Sequence, residues 1–353
     1  MKKWLKVALC ILLAVVLLVG GYVAYVFIDY HRLGNMKLTP EHNADAAESG
    51  TVYTMISYNI GFGAYESDYG FFMDGGTESR AWSKERLTKN LTAISTFLQE
   101  QDADFYLLQE VDTGATRTYQ VDERTYFTEA LSGMSWVYCQ NYDSPYLMYP
   151  LLKPHGASHA GLMTFSTADI AAASRVELPI EGGFMKLLDL DRCYSVSRIP
   201  VSGSKELVLY NLHLSAYTSD GTIATEQLKL LLADMQAEYE SGNWCVAGGD
   251  FNKDLLGDSA AWFGEADQSY SWAQPIPAET FAGVDVSLAA PLDENDPVPS
   301  CRNADGPYHE GQYVLTVDGF LTTPNVTVSQ ATVLDTGFAW SDHNPVKMTF
   351  TLS

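Results

Sequence analysis

Residues 244–252 read Trp244-Cys245-Val246-Ala247-Gly248-Gly249-Asp250-Phe251-Asn252. A short apolar run that breaks at a glycine pair and then delivers a carboxylate and an amide is the pattern of a strand ending at a working surface. The same ending recurs along the chain. Ile56-Ser57-Tyr58-Asn59 closes a run in an amide, Leu107-Leu108-Gln109-Glu110 in a carboxylate, and Tyr210-Asn211-Leu212-His213 in an imidazole. Val317-Asp318-Gly319 sets an aspartate inside a fifth run, and Ser341-Asp342-His343-Asn344-Pro345 precedes the last. Leaving a polar group unpartnered at the end of a buried strand is costly. Asp and Asn are also common turn formers, so any one of these endings is weak evidence. Six in one chain point to a shared polar site.

Around these endings the pattern is that of an α/β enzyme. Runs rich in β-formers at 52–58, 104–109, 206–212, 244–247, 313–321 and 346–352 read as strands. Leu87, Leu91, Ile94 and Leu98 recur at helical spacing, and Leu228, Leu231, Leu232 and Met235 do so again after Asp220-Gly221. Two long segments, 61–79 and 141–158, are rich in aromatic residues and read as loops; His155 lies in the second. No internal repeat or linker divides residues 51–353, which read as one domain.

The chain has 353 residues, 46% hydrophobic and 18% charged, an ordinary globular balance. Its start differs. Residues 7–28 form an apolar run of about 22 without a charge, enough to span a bilayer as a helix. Signal-peptide apolar regions are usually about 7–15 residues and end at small residues, whereas this run ends Tyr25-Val26-Phe27-Ile28. Lys2, Lys3 and Lys6 precede it and Asp29 follows. The positive-inside rule therefore puts residues 1–6 in the cytoplasm, an uncleaved anchor at 7–28, a polar stalk at 29–50, and the domain 51–353 outside the cell membrane as part of a single-pass protein.

The formal net charge of the whole chain is −23, and removing the three lysines makes the external part more acidic still. Long polyanions are repelled by such a surface, which argues against tight nonspecific nucleic-acid binding. Cys139, Cys193, Cys245 and Cys301 show no C-x-x-C spacing, which argues against a zinc site and leaves one disulfide open in an oxidising compartment.

The set of strand-end residues, with Gly-Asp-Phe-Asn and Ser-Asp-His-Asn-Pro as its most specific parts, resembles the endonuclease/exonuclease/phosphatase superfamily over residues 51–353. The resemblance implies an α/β (α+β) four-layer sandwich: two packed mixed β-sheets flanked by helices, with the site at one edge. It also implies a phosphoester hydrolase using Mg2+ or Mn2+. Oxygen ligands suit magnesium, and Glu110, Asn59 and Asp342 are the metal candidates. Asp250 is the candidate for orienting or deprotonating water, with Asn252 holding it. His343 is the donor to developing phosphoryl charge, Asp318 accepts its other N–H, and His213 is a second donor. Asn211, Arg117, Tyr119 and Arg302 are candidate substrate-binding residues, and Asp191 is a candidate support for His213. The Pro-x-Trp-Cys-Asp-Arg element of inositol polyphosphate 5-phosphatases is replaced by Pro299-Ser300-Cys301-Arg302-Asn303, which argues against that activity. A lipid, a small phosphodiester and a nucleic acid all stay open as substrates; no protein partner is inferred. The alternative from another class is a non-catalytic binding module on the same fold.

Overall fold

A computed structural model describes residues 2–41, 45–182, 190–203, 205–216, 222–264 and 272–353. Asp220 and Gly221 lie outside the described residues. In chain order the elements are α1 (Lys2–Asp29), β1 (Met36–Leu38), β2 (Val52–Asn59), α2 (Lys84–Gln101), β3 (Phe105–Asp112), α3 (Arg124–Ala130), β4 (Ser135–Asp143), β5 (His159–Ser166), β6 (Ala172–Glu177) and β7 (Cys193–Val201). They continue with β8 (Lys205–His213), α4 (Thr222–Glu240), β9 (Trp244–Asp250), α5 (Ser259–Phe263), β10 (Ser287–Ala289), β11 (Cys301–Arg302), β12 (Val314–Leu315), β13 (Asp318–Thr322), β14 (Val326–Val333) and β15 (Val346–Leu352).

Two mixed sheets pack face to face. One has the order β1-β6-β7-β8-β9-β13-β10 and the other β14-β15-β2-β3-β5-β4. Met55, Phe105, Leu107, Leu209, Val246, Phe320 and Phe350 fill the layer between them. The helices α2 and α4 cover the outer faces because each carries one apolar stripe. Leu87, Leu91, Ile94 and Leu98 of α2 are buried on the second sheet, where Ser83 caps the helix by accepting from the Arg86 N–H at 3.2 Å and Asp102 closes it at φ 47°. Leu228, Leu231, Leu232 and Met235 of α4 are buried on the first sheet. This is the expected two-sheet sandwich with outer helices.

The sheet pairing gathers the polar endings. The β2–β3 pair is parallel, with Asn59 beside Gln109, and the β8–β9 pair is parallel, with His213 beside Asp250. The antiparallel β9–β13 pair sets Asp318 opposite Asp250. The glycine pair makes this close packing feasible. A Cβ on Gly249, at φ 152°, would sit 2.0 Å from the Leu212 carbonyl oxygen.

Two sequence expectations are corrected. The run at 313–321 is split: Val314–Leu315 pairs with Cys301–Arg302 in a two-stranded ribbon, and only Asp318–Thr322 joins a main sheet. The segment 29–50 is not a free stalk, because Met36–Leu38 pairs with β6, and Arg175 donates to the carbonyls of Leu33 and Gly34. The cysteines are free; Cys139 and Cys193 lie side by side, their Sγ atoms 3.6 Å apart between the two sheets.

Candidate active site

The strand ends converge on a cavity of about 160 Å³ lined by Glu110, Arg117, Arg192, His213, Asp250, Asn252, Arg302, Asp342 and His343, with Tyr65, Phe71, Met73, Tyr142, His155 and Trp272 around them. Asp318 stands directly behind His343. His343 Nδ1 lies 2.7 Å from Asp318 Oδ2, and the same carboxylate oxygen accepts from Ser300 Oγ at 2.7 Å. With Nδ1 donating to Asp318, Nε2 is the atom turned to the site. Nε2 is 3.8 Å from Asp250 Oδ2 and 3.6 Å from Cys301 Sγ. Burial is the largest single influence and opposes a charge on the ring, but Asp318 and Cys301 together outweigh it and hold the His343 pKa well above its ordinary value.

Asp250 is fixed from three sides. The backbone N–H of Asn252, at φ 49°, donates to Oδ1 at 2.8 Å, and the Asn59 amide donates to Oδ2 at 3.1 Å. His213 Nε2 stands 3.6 Å from Oδ2. Burial and then the neighbouring Asp318 push the Asp250 pKa up to about 7, against the opposing pull of His343. His213 is held neutral, well below its usual pKa, by burial and by Arg192, and its Nδ1 has no hydrogen-bond partner among the described residues. The Asn252 side chain donates to the Leu214 carbonyl, so Asn252 grips Asp250 through its main chain.

Glu110 sits at φ 57° in the β3 bulge, its Oε1 accepting from Asn59 Nδ2 at 3.2 Å. Burial raises its pKa and the nearby Asp342 raises it further, partly offset by Arg117. Burial likewise raises Asp342. Two half-buried carboxylates that repel each other, each a hard oxygen donor, fit a divalent cation such as magnesium. The described residues also place ligand atoms of Asp250, Asp318 and His343 within 4.8 Å of one another. There, however, the 2.7 Å contact between Asp318 and His343 is a hydrogen bond that leaves no room for an ion between them. The Asn59 amide oxygen accepts from the Gly61 N–H, so Asn59 as placed braces the two carboxylates with its NH2 group.

The lower-ranking candidates divide. Arg117 lines the cavity, but its guanidinium is paired in two-pronged fashion with Asp112 at 3.0 and 2.9 Å and lies over the Phe62 ring. Arg302 also borders the cavity, yet it donates to the carbonyls of Asn303, Gly306, Tyr65, Glu66 and Tyr69, which makes it the clasp of the 61–79 loop. Tyr119 lies outside the cavity, its hydroxyl donating to the Ala81 carbonyl at 3.0 Å. Asn211 is sealed between the sheets, donating to Leu108 and Met163 carbonyls and accepting from Gln109; it touches neither substrate space nor the His213 ring. Asp191 accepts from the Asp143 N–H and faces Arg32, away from His213. Two residues went unread in the sequence: Arg192 in the cavity wall and Ser300, which ties Asp318 to its loop. The Ser300 signal lay in the Pro299-Ser300-Cys301-Arg302 stretch, two residues before the candidate Arg302.

A sequence profile of the Endonuclease/Exonuclease/phosphatase family matches residues 56–343. No curated protein matches the chain in sequence. Similar solved structures include an endonuclease/exonuclease/phosphatase from Beutenbergia cavernae, 17% identical, covering 86% of this chain and 72% of that one, with a TM-score of 0.54. Another is ANGEL2, a 2′,3′-cyclic phosphatase in complex with adenosine-2′,3′-vanadate, 15% identical, covering 90% and 99%, with a TM-score of 0.55. Truncated Caenorhabditis elegans TDP2 is 15% identical, covering 86% and 98%, with a TM-score of 0.51. At these identities the likeness is one of fold.

Proposed function

The chain belongs to the endonuclease/exonuclease/phosphatase family, and on that premise we propose that it is a metal-dependent phosphoester hydrolase anchored in the cell membrane by α1, with its active site outside the cytoplasm. The observation that carries the reading is the convergence of Glu110, Asp250, Asp342 and the His343–Asp318 pair on one cavity. Asp250, with its pKa near 7, is suited to take a proton from an attacking water at neutral pH. The His343 imidazolium, kept charged and aimed by Asp318, donates from Nε2 to a phosphoryl oxygen as charge develops there. Neutral His213 supplies a second donor on the Asp250 side. Glu110 and Asp342 would hold magnesium or manganese, which when bound supplies charge neutralisation at the phosphoryl and leaving oxygens.

One helix, Lys2–Asp29, is long and apolar enough to cross a membrane, and its flanking lysines support the orientation. Activity of the purified full chain on bis-p-nitrophenyl phosphate, with magnesium and with chelator, tests the chemistry. Metal-dependent turnover that Glu110→Gln weakens is expected. Substrate binding with no turnover under any divalent metal would assign the fold to a binding module instead.

A further inference from the structure

The loop 144–155 reads Ser-Pro-Tyr-Leu-Met-Tyr-Pro-Leu-Leu-Lys-Pro-His, with no carboxylate in a chain whose net charge is −23. Its tip turns large apolar side chains outward: Met148 is 46% exposed, Tyr149 66%, Leu151 80% and Leu152 102%. Adjacent exposed side chains of this size mark a contact surface, and the question is what covers it.

The apolar helix answers it. The Tyr22 hydroxyl donates to the Tyr146 carbonyl at 3.2 Å and accepts from the Met148 N–H at 3.0 Å, and the Tyr25 hydroxyl accepts from the Tyr146 N–H at 3.0 Å. Tyr22 and Tyr25 share one face near the outer end of α1, where tyrosines sit at headgroup level. A helix that needs about 20 residues to cross the hydrocarbon core therefore brings the loop backbone to the membrane surface. Contacts past the helix hold it there. His31 Nε2 is 2.8 Å from Asp143 Oδ2, and Arg32 Nη1 is 3.2 Å from Glu177 Oε1.

The same loop reaches the cavity at its end, through His155. The Tyr149 ring is 5.7 Å from Phe72, Phe72 is 6.0 Å from His155, and His155 is 5.8 Å from Phe71. Phe71, Met73 and His155 line the cavity itself. We infer that residues 146–152 are a membrane-contact surface, with Met148, Tyr149, Leu151 and Leu152 seated in the headgroup and acyl boundary of the bilayer that α1 crosses, so that the cavity receives a phosphoester carried on a lipid. The choice of substrate rests on the hydrolase reading; the contact with the bilayer does not.

The test uses the full chain in phosphatidylcholine–phosphatidylglycerol vesicles. With Cys10→Ala and Leu152→Cys, a polarity-sensitive dye attaches at the loop, the other four cysteines being buried. Blue-shifted emission, quenched by lipids spin-labelled near the headgroup, is expected. A dye that stays in water, or is shielded only as protein density rises, would overturn the bilayer contact, the latter assigning the surface to a second copy. The Leu151→Ser/Leu152→Ser variant should lose about tenfold in kcat/KM on vesicle lipids and stay within about twofold on bis-p-nitrophenyl phosphate, because only interfacial substrate depends on seating. Wild-type turnover of the soluble ester with none of vesicle lipids would overturn the lipid substrate. A quenched dye on a chain inactive toward every phosphoester would support the contact surface while sinking the hydrolase reading.

Discussion

Asn59, the last residue of β2 in one sheet, donates from its side-chain amide to Asp250, the last residue of β9 in the other, at 3.1 Å, and the same NH2 group reaches Glu110 at 3.2 Å. One amide thus spans the seam of the sandwich and fixes Asp250 and Glu110, the proposed water-activating and metal-holding carboxylates, relative to each other. Asn59→Ala should lower kcat about tenfold to a hundredfold and raise the magnesium needed for half-maximal rate, as losses of groups that orient metal ligands do. A magnesium titration of the variant on bis-p-nitrophenyl phosphate checks this. An unchanged titration would confine Asn59 to packing.

The glycine pair before Asp250 gives a prediction on stability. Gly249→Ala forces a Cβ to within 2.0 Å of the Leu212 carbonyl oxygen at a φ of 152°. Backbone clash cannot be relieved by a rotamer change, so a loss of about 1–3 kcal/mol or more is expected. Urea melts of both proteins measure it. A midpoint within error of wild type would mean that β8 and β9 have slack the packing does not suggest.

His155 ties the end of the loop to Ser79 and Ser158. Its Nδ1 lies 2.9 Å from the Ser79 carbonyl and its Nε2 3.1 Å from Ser158 Oγ, an arrangement that a neutral ring with its proton on Nδ1 satisfies at both ends. Burial, helped by Arg117, pushes its pKa down to about 3. A histidine whose pKa is lowered by folding contributes stability that is complete above the unfolded value of about 6.5 and is lost as pH falls toward 3. The thermal midpoint of wild type should therefore fall more steeply between pH 6.5 and 4 than that of His155→Gln. Parallel curves would remove His155 from the acid response.

What the sequence revealed followed from periodicity and from chemistry at strand ends. The stripe on α2 and the six polar endings were legible because each depends on spacing within one segment, whereas the two-sheet sandwich followed from the family resemblance those endings carry. Asn211 was misread for a physical reason: it shares a face with His213 two residues on, but lies one pleat deeper, where Leu207 and Leu209 of the same face pack between the sheets. Strand periodicity gives the face and not the depth. The loop-clasping part of Arg302 was not legible, because an arginine beside a phosphate site and an arginine clasping five carbonyls look alike in sequence. Strands such as β7, with Ser195 and Ser197 buried beside Tyr194 and Val196, lack the apolar continuity that marks a core strand. The ribbon of β11 and β12 depends on pairing between distant residues, which no local pattern reports.

The central claim is that Asp318 acts through His343 as one unit in turnover. Steady-state kinetics of Asp318→Asn, His343→Ala and the double variant measure it most directly, alongside thermal melts to establish that all three fold. An oriented donor to developing charge is worth about 3–4 kcal/mol, so each single should lose roughly a hundredfold to a thousandfold in kcat with little change in thermal midpoint. The double variant should be hardly worse than His343→Ala, since the account has Asp318 act on turnover chiefly through its 2.7 Å contact with His343. Fully multiplicative losses would contradict the account and give Asp318 a separate role of its own.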